Sequence, residues 1–121
     1  MRTALITGGG RGIGAAISKK LAKEGYRILL TSCTSSKTAE MVVDEIRDSG
    51  IDAVAVNCDV TDPREVALLA THPWVSEKID ALVLNHGRYD RIDAKDLDIE
   101  HLRRTMSTNF DGAFLIWESV K

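Results

Sequence analysis

The feature that most limits how this chain can fold is the stretch 3–14, Thr-Ala-Leu-Ile-Thr-Gly-Gly-Gly-Arg-Gly-Ile-Gly. Thr3–Thr7 mixes β-branched and apolar residues, the pattern of a strand buried on both faces of a parallel sheet. Gly8, Gly9, Gly10, Gly12 and Gly14 follow at once. Ala15 to Ala22 then reads as a helix, with apolar positions at 17 and 21 and at 15 and 22. A strand that turns through glycines into a helix start makes an anion site. Backbone N–H groups and the positive helix end converge there, and no Cβ blocks the approach.

The glycine spacing narrows the anion. A G-x-G-x-x-G/A dinucleotide pattern fits Gly10, Gly12 and Ala15, but it begins two residues after the strand stops. The wider pattern Gly8-x-x-x-Gly12-x-Gly14 begins at the strand end and is preferred. A Walker-type phosphate loop is excluded, because no Gly-Lys-Ser/Thr follows.

At 121 residues the chain is expected to form one domain with a buried core. Its 28% charged content balances to a net charge of −2, which gives no footprint for nucleic acid or an anionic membrane surface. No apolar run approaches the ~20 residues of a membrane span. The strand at the very start leaves no room for a leader, and two cysteines outside any metal spacing suit a reducing compartment, so a cytoplasmic location is expected. Cys33 and Cys58 each follow an apolar run, which places them near neighbouring strand ends as buried or half-buried free thiols.

The first helix should end at Gly25, and Tyr26–Ser32 should form the second strand. Ser35 or Ser36 can cap a helix to Ser49 with Ala39, Val42, Val43 and Ile46 on its apolar face. Asp52–Asn57 is the third strand. Asp62-Pro63-Arg64-Glu65 combines an N-cap acid, a proline at the first helical position and a capping-box glutamate. That helix carries Val66, Leu69 and Ala70 and should break at His72-Pro73. Asp80–Asn85 is the fourth strand, and a last helix should run from Asp98 towards Lys121. Strands alternating with helices mean right-handed crossovers and a doubly wound parallel α/β sheet of order 3-2-1-4. Ligands bind where that order switches, between the first and fourth strands. The fourth strand lacks a partner for its outer edge and the chain stops within a helix, so a piece of a longer protein is expected.

Four motifs in order carry a family resemblance. They are Thr7-Gly8-Gly9-Gly10-Arg11-Gly12-Ile13-Gly14, Asp59-Val60, Asn85-His86-Gly87 and the Asn109 to Gly112 pair in Ser-Thr-Asn-Phe-Asp-Gly-Ala. Across nearly all its length the chain resembles the N-terminal, cofactor-binding half of a short-chain dehydrogenase/reductase, and is similar to the 3-oxoacyl-carrier-protein reductase-like branch. The resemblance implies a Rossmann-like NAD(P)-binding domain over residues 1–121, incomplete on its C-terminal side. It implies that Thr7, Gly8, Gly10, Arg11, Gly12, Ile13 and Gly14 cradle the pyrophosphate, that Asp59 and Val60 meet the adenine, that Asn85 and Gly87 border the cofactor, and that Asn109 joins a proton relay. Leu84 and His86 depart from the family's Asn-Asn-Ala-Gly segment; the imidazole either packs on the strand end or faces the nicotinamide side. The family's serine and Tyr-x-x-x-Lys pair would lie beyond Lys121. Tyr26 and Tyr89 are no substitutes, because Leu30 and Asp93 occupy the positions four residues on.

Asp59 and Asn109 also have structural alternatives, a loop cap and a buried amide. NAD enzymes place an acid about 20 residues past the glycines for the ribose 2′-hydroxyl. Here Thr31-Ser32-Cys33-Thr34-Ser35-Ser36 holds none, so Ser32 and Cys33, with Arg11 and Lys37 nearby, favour NADP over NAD. His72 and His101 read as surface residues, and Glu100, Arg103 and Arg104 as a solvated face. Phe114, Ile116 and Trp117 suit either a subunit contact or the missing half. Three classes fit. One is an oxidoreductase of carbonyl or alcohol substrates, forming a homo-oligomer (dimer or tetramer) when complete. The others are a non-catalytic nucleotide-binding module and a pseudoenzyme fragment that binds a partner at its open sheet edge.

Overall fold

The computed structural model describes residues 1–34, 36–89 and 91–121. Strands β1 (Thr3–Thr7), β2 (Arg27–Ser32), β3 (Ala53–Asn57) and β4 (Ala81–Leu84) form one parallel sheet in the order β3-β2-β1-β4. Helices α1 (Gly12–Lys23), α2 (Ser36–Asp48), α3 (Pro63–Ala70), α4 (Pro73–Glu77), α5 (Ile99–Met106) and α6 (Gly112–Val120) fill the crossovers and the tail. The switch point falls between β1 and β4, where Thr7 pairs with Leu84.

The sheet separates two cores, because alternate residues of each strand face opposite sides. Ala4, Ile6, Ile28 and Leu30 pack with Val43 and Ile46 under α1 and α2. Leu5 and Leu29 pack with Val66, Leu69 and Ile116 under α3 and α6. Full burial of a side chain such as Leu5 or Ile116 stabilises the fold by about 1.5–3 kcal/mol. This is the doubly wound layering expected from the alternation of strands and helices. The orientation of Ile116 corrects its grouping with Phe114 and Trp117: it is fully buried, whereas Phe114 and Trp117 are 52% and 46% exposed.

Local chemistry moves several boundaries. Helix α1 starts at Gly12, three residues before the apolar periodicity does, so Gly12, Ile13 and Gly14 form its first turn. Ser36 opens α2, and Ser35 lies outside the described residues. The His72-Pro73 break starts a new short helix, α4, capped by His72, whose Nδ1 accepts from the Trp74 amide at 3.1 Å. Asp62 caps α3 as expected, accepting from Arg64 N at 2.9 Å. Glu65 does not close the capping box; it reaches further back and accepts from Asp59 N at 3.0 Å. The last helix opens at Asp98, which accepts from His101 N at 2.9 Å, and His101 lies 2.8 Å from the same carboxylate. Between α5 and α6 the helix widens into a π turn, Ser107–Asp111, that periodicity did not indicate. Among the described residues, no helix is long and apolar enough to cross a membrane.

Candidate functional site

At the C-terminal edge of the sheet, β1 ends in Thr7 and the chain turns through Gly8 at φ +64°. Glycine adopts that left-handed backbone at no steric cost. The corner is held from the neighbouring strand: Gly8 N donates to Thr31 Oγ1 at 3.3 Å and Gly9 N to the Thr31 carbonyl at 3.1 Å. Ser18, fully buried in α1, donates to the Gly14 carbonyl at 2.9 Å and reaches Gly9 O at 3.3 Å. Gly14 is required by close approach, since a Cβ there would stand 2.1 Å from Gly8 O and 2.5 Å from Asn85 Nδ2. The first i→i−4 bond of α1 is Ala15 N to Arg11 O, so the amides of Gly12, Ile13 and Gly14 have no acceptor within the helix.

These elements frame a cleft of about 760 Å³ above the switch point. Gly8, Gly10, Arg11, Gly12, Ile13 and Gly14 form one wall. Ser32, Cys33, Asp59 and Val60, at the ends of β2 and β3, form a second. Asn85 and Gly87, just past β4, complete the rim. Ile13 leaves its side chain 75% exposed at the helix start. Thr7 lies beneath the floor, fully buried, and its hydroxyl accepts from the amides of Asn85 at 3.1 Å and His86 at 3.3 Å. Asn85 Nδ2 donates to Gly8 O at 3.0 Å, tying β4 to the glycine corner. The strand end is therefore braced although Leu84 replaces an asparagine.

Asn109 sits in the π turn, where such widened turns often mark functional positions. It is exposed and is not a buried amide. Its Oδ1 accepts from Arg88 N at 2.6 Å and its Nδ2 donates to Arg88 O at 3.0 Å, so it clamps the loop after β4 beside the cleft. Asp59 Oδ1 accepts from both the amide and the hydroxyl of Thr61, at 2.9 and 2.7 Å. One of its oxygens thus serves the loop.

The family model for the short chain dehydrogenase matches residues 2–121. The chain belongs to this family. Versicolorin reductase 1 of Aspergillus parasiticus is 35% identical over 95% of this chain and 44% of its own length. A dehydrogenase/reductase structure from Sinorhizobium meliloti superposes with a TM-score of 0.91 at 33% identity, over 98% of this chain and 48% of that one. A short-chain dehydrogenase from Burkholderia cenocepacia, solved in complex with NADP, gives a TM-score of 0.91 at 31% identity over 98% and 49%. The chain spans a little under half the length of the curated relatives it matches.

Within this short-chain dehydrogenase the structure corrects four expectations. Lys37 is exposed in the first turn of α2 and does not line the cleft; Thr34 does. Cys33 is exposed, while Cys58 is buried at the adjacent strand end, with Cys58 N donating to Ser32 O at 2.9 Å. Burial, reinforced by Glu65 and Asp59, pushes the Cys58 thiol up to about 11; burial and then Asp59 raise that of Cys33. Arg104 lines the cleft rather than joining a purely solvated face. Its separation of four from Thr108, another lining residue, is the helical signal that could have found it. His72 and His101 are partly buried helix-end residues. Thr31 supports the site from the neighbouring strand through contacts that no local pattern announces, and Ser18 and Glu65 add bonds to the glycine corner and to Asp59 N.

Proposed function

We propose that the complete protein transfers a hydride between NADP(H) and a small-molecule carbonyl or alcohol, and that residues 1–121 are its cofactor-binding domain. One observation carries this: a Cβ at buried Gly14 would stand 2.1 Å from Gly8 O, so the start of α1 sits directly on the turn after β1, while Gly12 and Ile13 stay exposed along the cleft. A diphosphate fits there because Gly12, Ile13 and Gly14 offer free amides, and the positive end of α1 adds ~0.3–1 kcal/mol per charge. Thr7, Gly8 and Gly10 hold that corner in shape. When bound, the dinucleotide supplies the hydride-carrying nicotinamide.

Asp59 accepts from the adenine amino group through Oδ2 while Oδ1 stays with Thr61, and Val60 packs beside the ring. Arg11, Ser32, Cys33 and Thr34 surround the place of a 2′-phosphate, and no carboxylate at the end of β2 repels it. NAD is the alternative cofactor. Asn85 and Gly87 border the nicotinamide half, and Asn109 belongs to the proton relay, whose serine, tyrosine and lysine lie outside this sequence. The exposed stripe Ile99, Leu102, Met106, Phe110, Phe114 and Trp117 suits a homo-oligomer, dimer or tetramer. The reduced thiols suit the cytoplasm, and neither nucleic acid nor a membrane is a proposed partner.

Fluorescence titration with NADPH and NADH tests this. Saturable enhancement is expected, and Arg11→Ala should weaken NADPH about tenfold, as loss of a bond to a charged group does, while NADH binding changes little. Equal losses would remove Arg11 from the phosphate site. No saturable signal with either nucleotide would overturn the cofactor role.

A further inference from the structure

His86 lines the cleft, yet the glycine corner does not account for it. Its ring is half-buried, with Nδ1 2.6 Å from Thr7 Oγ1 and Nε2 3.0 Å from the Thr108 carbonyl oxygen. A carbonyl can only accept, so the network assigns the proton to Nε2 and leaves Nδ1 an acceptor. The Thr7 hydroxyl agrees. Its oxygen already accepts from Asn85 N and His86 N, which uses both lone pairs, and its own proton is left for Nδ1. The Val83 carbonyl, at 3.4 Å, is the longer and weaker alternative. With both ring nitrogens engaged, the imidazole is a bridge and has no free position for acid–base exchange with a ligand.

The bridge joins two parts of the site that are far apart in sequence. Thr7 is the last residue of β1, directly before Gly8. Thr108 precedes Asn109 within the π turn, and Asn109 in turn holds the backbone of Arg88. Past the turn, Gly112 lets α6 approach closely: a Cβ there would stand 2.6 Å from Val60 Cγ2 and 3.3 Å from His86 Nε2. The ring thus lies between the strand end and the helix, with one side on the cleft.

We propose that His86 is a positioning residue: as a neutral imidazole it ties the π turn that presents Asn109 to the strand end that carries the glycine corner. A second ring proton would point at a hydroxyl whose lone pairs are already taken, so protonation breaks the tie at Thr7. Burial holds His86 below the ordinary imidazole range, against the opposing pull of the Thr108 carbonyl. The charged groups along the cleft walls, Arg11, Asp59, Arg88 and Arg104, are not among the causes. The bridge therefore stands at neutral pH and opens only on acidification. The importance of Asn109 rests on the relay assigned to it above; the bridge itself does not.

Nitrogen-15 NMR of the full chain tests the bridge. Long-range correlations should show the His86 ring as the neutral Nε2–H tautomer at pH 7, with a midpoint below the ordinary imidazole range. The amides of residues 88 and 107–111 should shift with that same midpoint. His86→Ala should speed hydrogen exchange at 107–111 about tenfold or more relative to β2 and β3, as local opening does. His86→Gln, which keeps one donor and one acceptor, should restore part of that protection and remove its pH dependence. An Nδ1–H tautomer, π-turn amides indifferent to the His86 titration, or unchanged exchange in His86→Ala would overturn the proposal. Should His86→Ala fail to fold, the wild-type titration decides alone. NADPH that fails to bind while the tautomer and titration hold would remove the cofactor role and leave the bridge intact.

Discussion

The two edges of the sheet treat the ends of the same four strands in opposite ways. At the N-terminal edge, long side chains close over them. Arg27 donates to Thr3 Oγ1 at 2.6 Å, pairs with Glu77 at 3.0 Å and lies 4.5 Å over the Trp74 ring. Arg2 stacks 4.2 Å over Tyr26 and donates to the Glu24 carbonyl at 3.1 Å, and Asp80 accepts from Thr3 N at 2.8 Å. A hollow of about 520 Å³ remains there, but its charged walls are largely bonded to one another. At the C-terminal edge, glycines, hydroxyls and free amides leave the cleft open.

Parallel strands explain the difference. Every crossover helix that follows a strand starts at the C-terminal edge and returns to the N-terminal one. Free N–H groups therefore collect at one edge and free C=O groups at the other. Arginine can satisfy the carbonyls from within the chain, as Arg2 does at Glu24 O. The first amides of α1, at Gly12, Ile13 and Gly14, have no acceptor within the helix, and the proposed diphosphate would take them.

The largest effect expected is at the open edge. Gly14→Ala forces a Cβ against Gly8 O and should cost about 1–3 kcal/mol or more in urea denaturation, with loss of NADPH binding. Tolerance of that methyl with normal binding would break the contrast between the edges. Arg27→Ala should cost about 1–2 kcal/mol through lost stacking and packing, yet leave NADPH affinity unchanged. A fall in affinity would show that the closed edge also shapes the cleft.

Asp80 sharpens the contrast through pH. Its carboxyl is held below the ordinary carboxylate range, first by the Thr3 amide and then by Lys78. The stability this contributes is present above the unfolded carboxylate value and is lost as pH falls through the lower folded one. Asp80→Asn should therefore lower Tm at pH 7, and the gap to wild type should close in strong acid. A gap that persists there would assign the effect to packing. The smallest effect concerns the thiols. Both are raised, so labelling at neutral pH should be slow at exposed Cys33, slower still with NADPH, and absent at Cys58 until unfolding. Labelling of Cys58 in the folded state would reveal an opening of the β2–β3 wall.

Much of this was legible in the chain itself. The strands and helices, the glycine corner and the caps at Asp62 and Asp98 follow from neighbouring residues, because periodicity, positive φ and N-capping act over a few positions. The strand order follows from the crossover rule for alternating strands and helices. Glu65 was legible as a capping acid but not as the partner of Asp59 N, since the amide it would cap, Asp62 N, already donates to Asp59 O at 3.0 Å in the folded loop. Lys37 and Arg104 exchanged places relative to expectation. Proximity in sequence to β2 put Lys37 near the cleft, whereas its position on α2 turns it away. The π turn left no mark on the apolar periodicity, and the contacts it makes, at Arg88 and His86, are 21 and 22 residues away in sequence.

By itself the sequence determined the element order and the glycine turn between β1 and α1, which depend on short-range backbone geometry, and the family, which rests on motifs in order along the chain. Only the tertiary structure decided that Thr7, His86 and Thr108 meet and that Asn109 clamps Arg88. A directional hydrogen bond depends on tenths of an ångström, and such distances exist only after the crossovers have brought the sheet edge together.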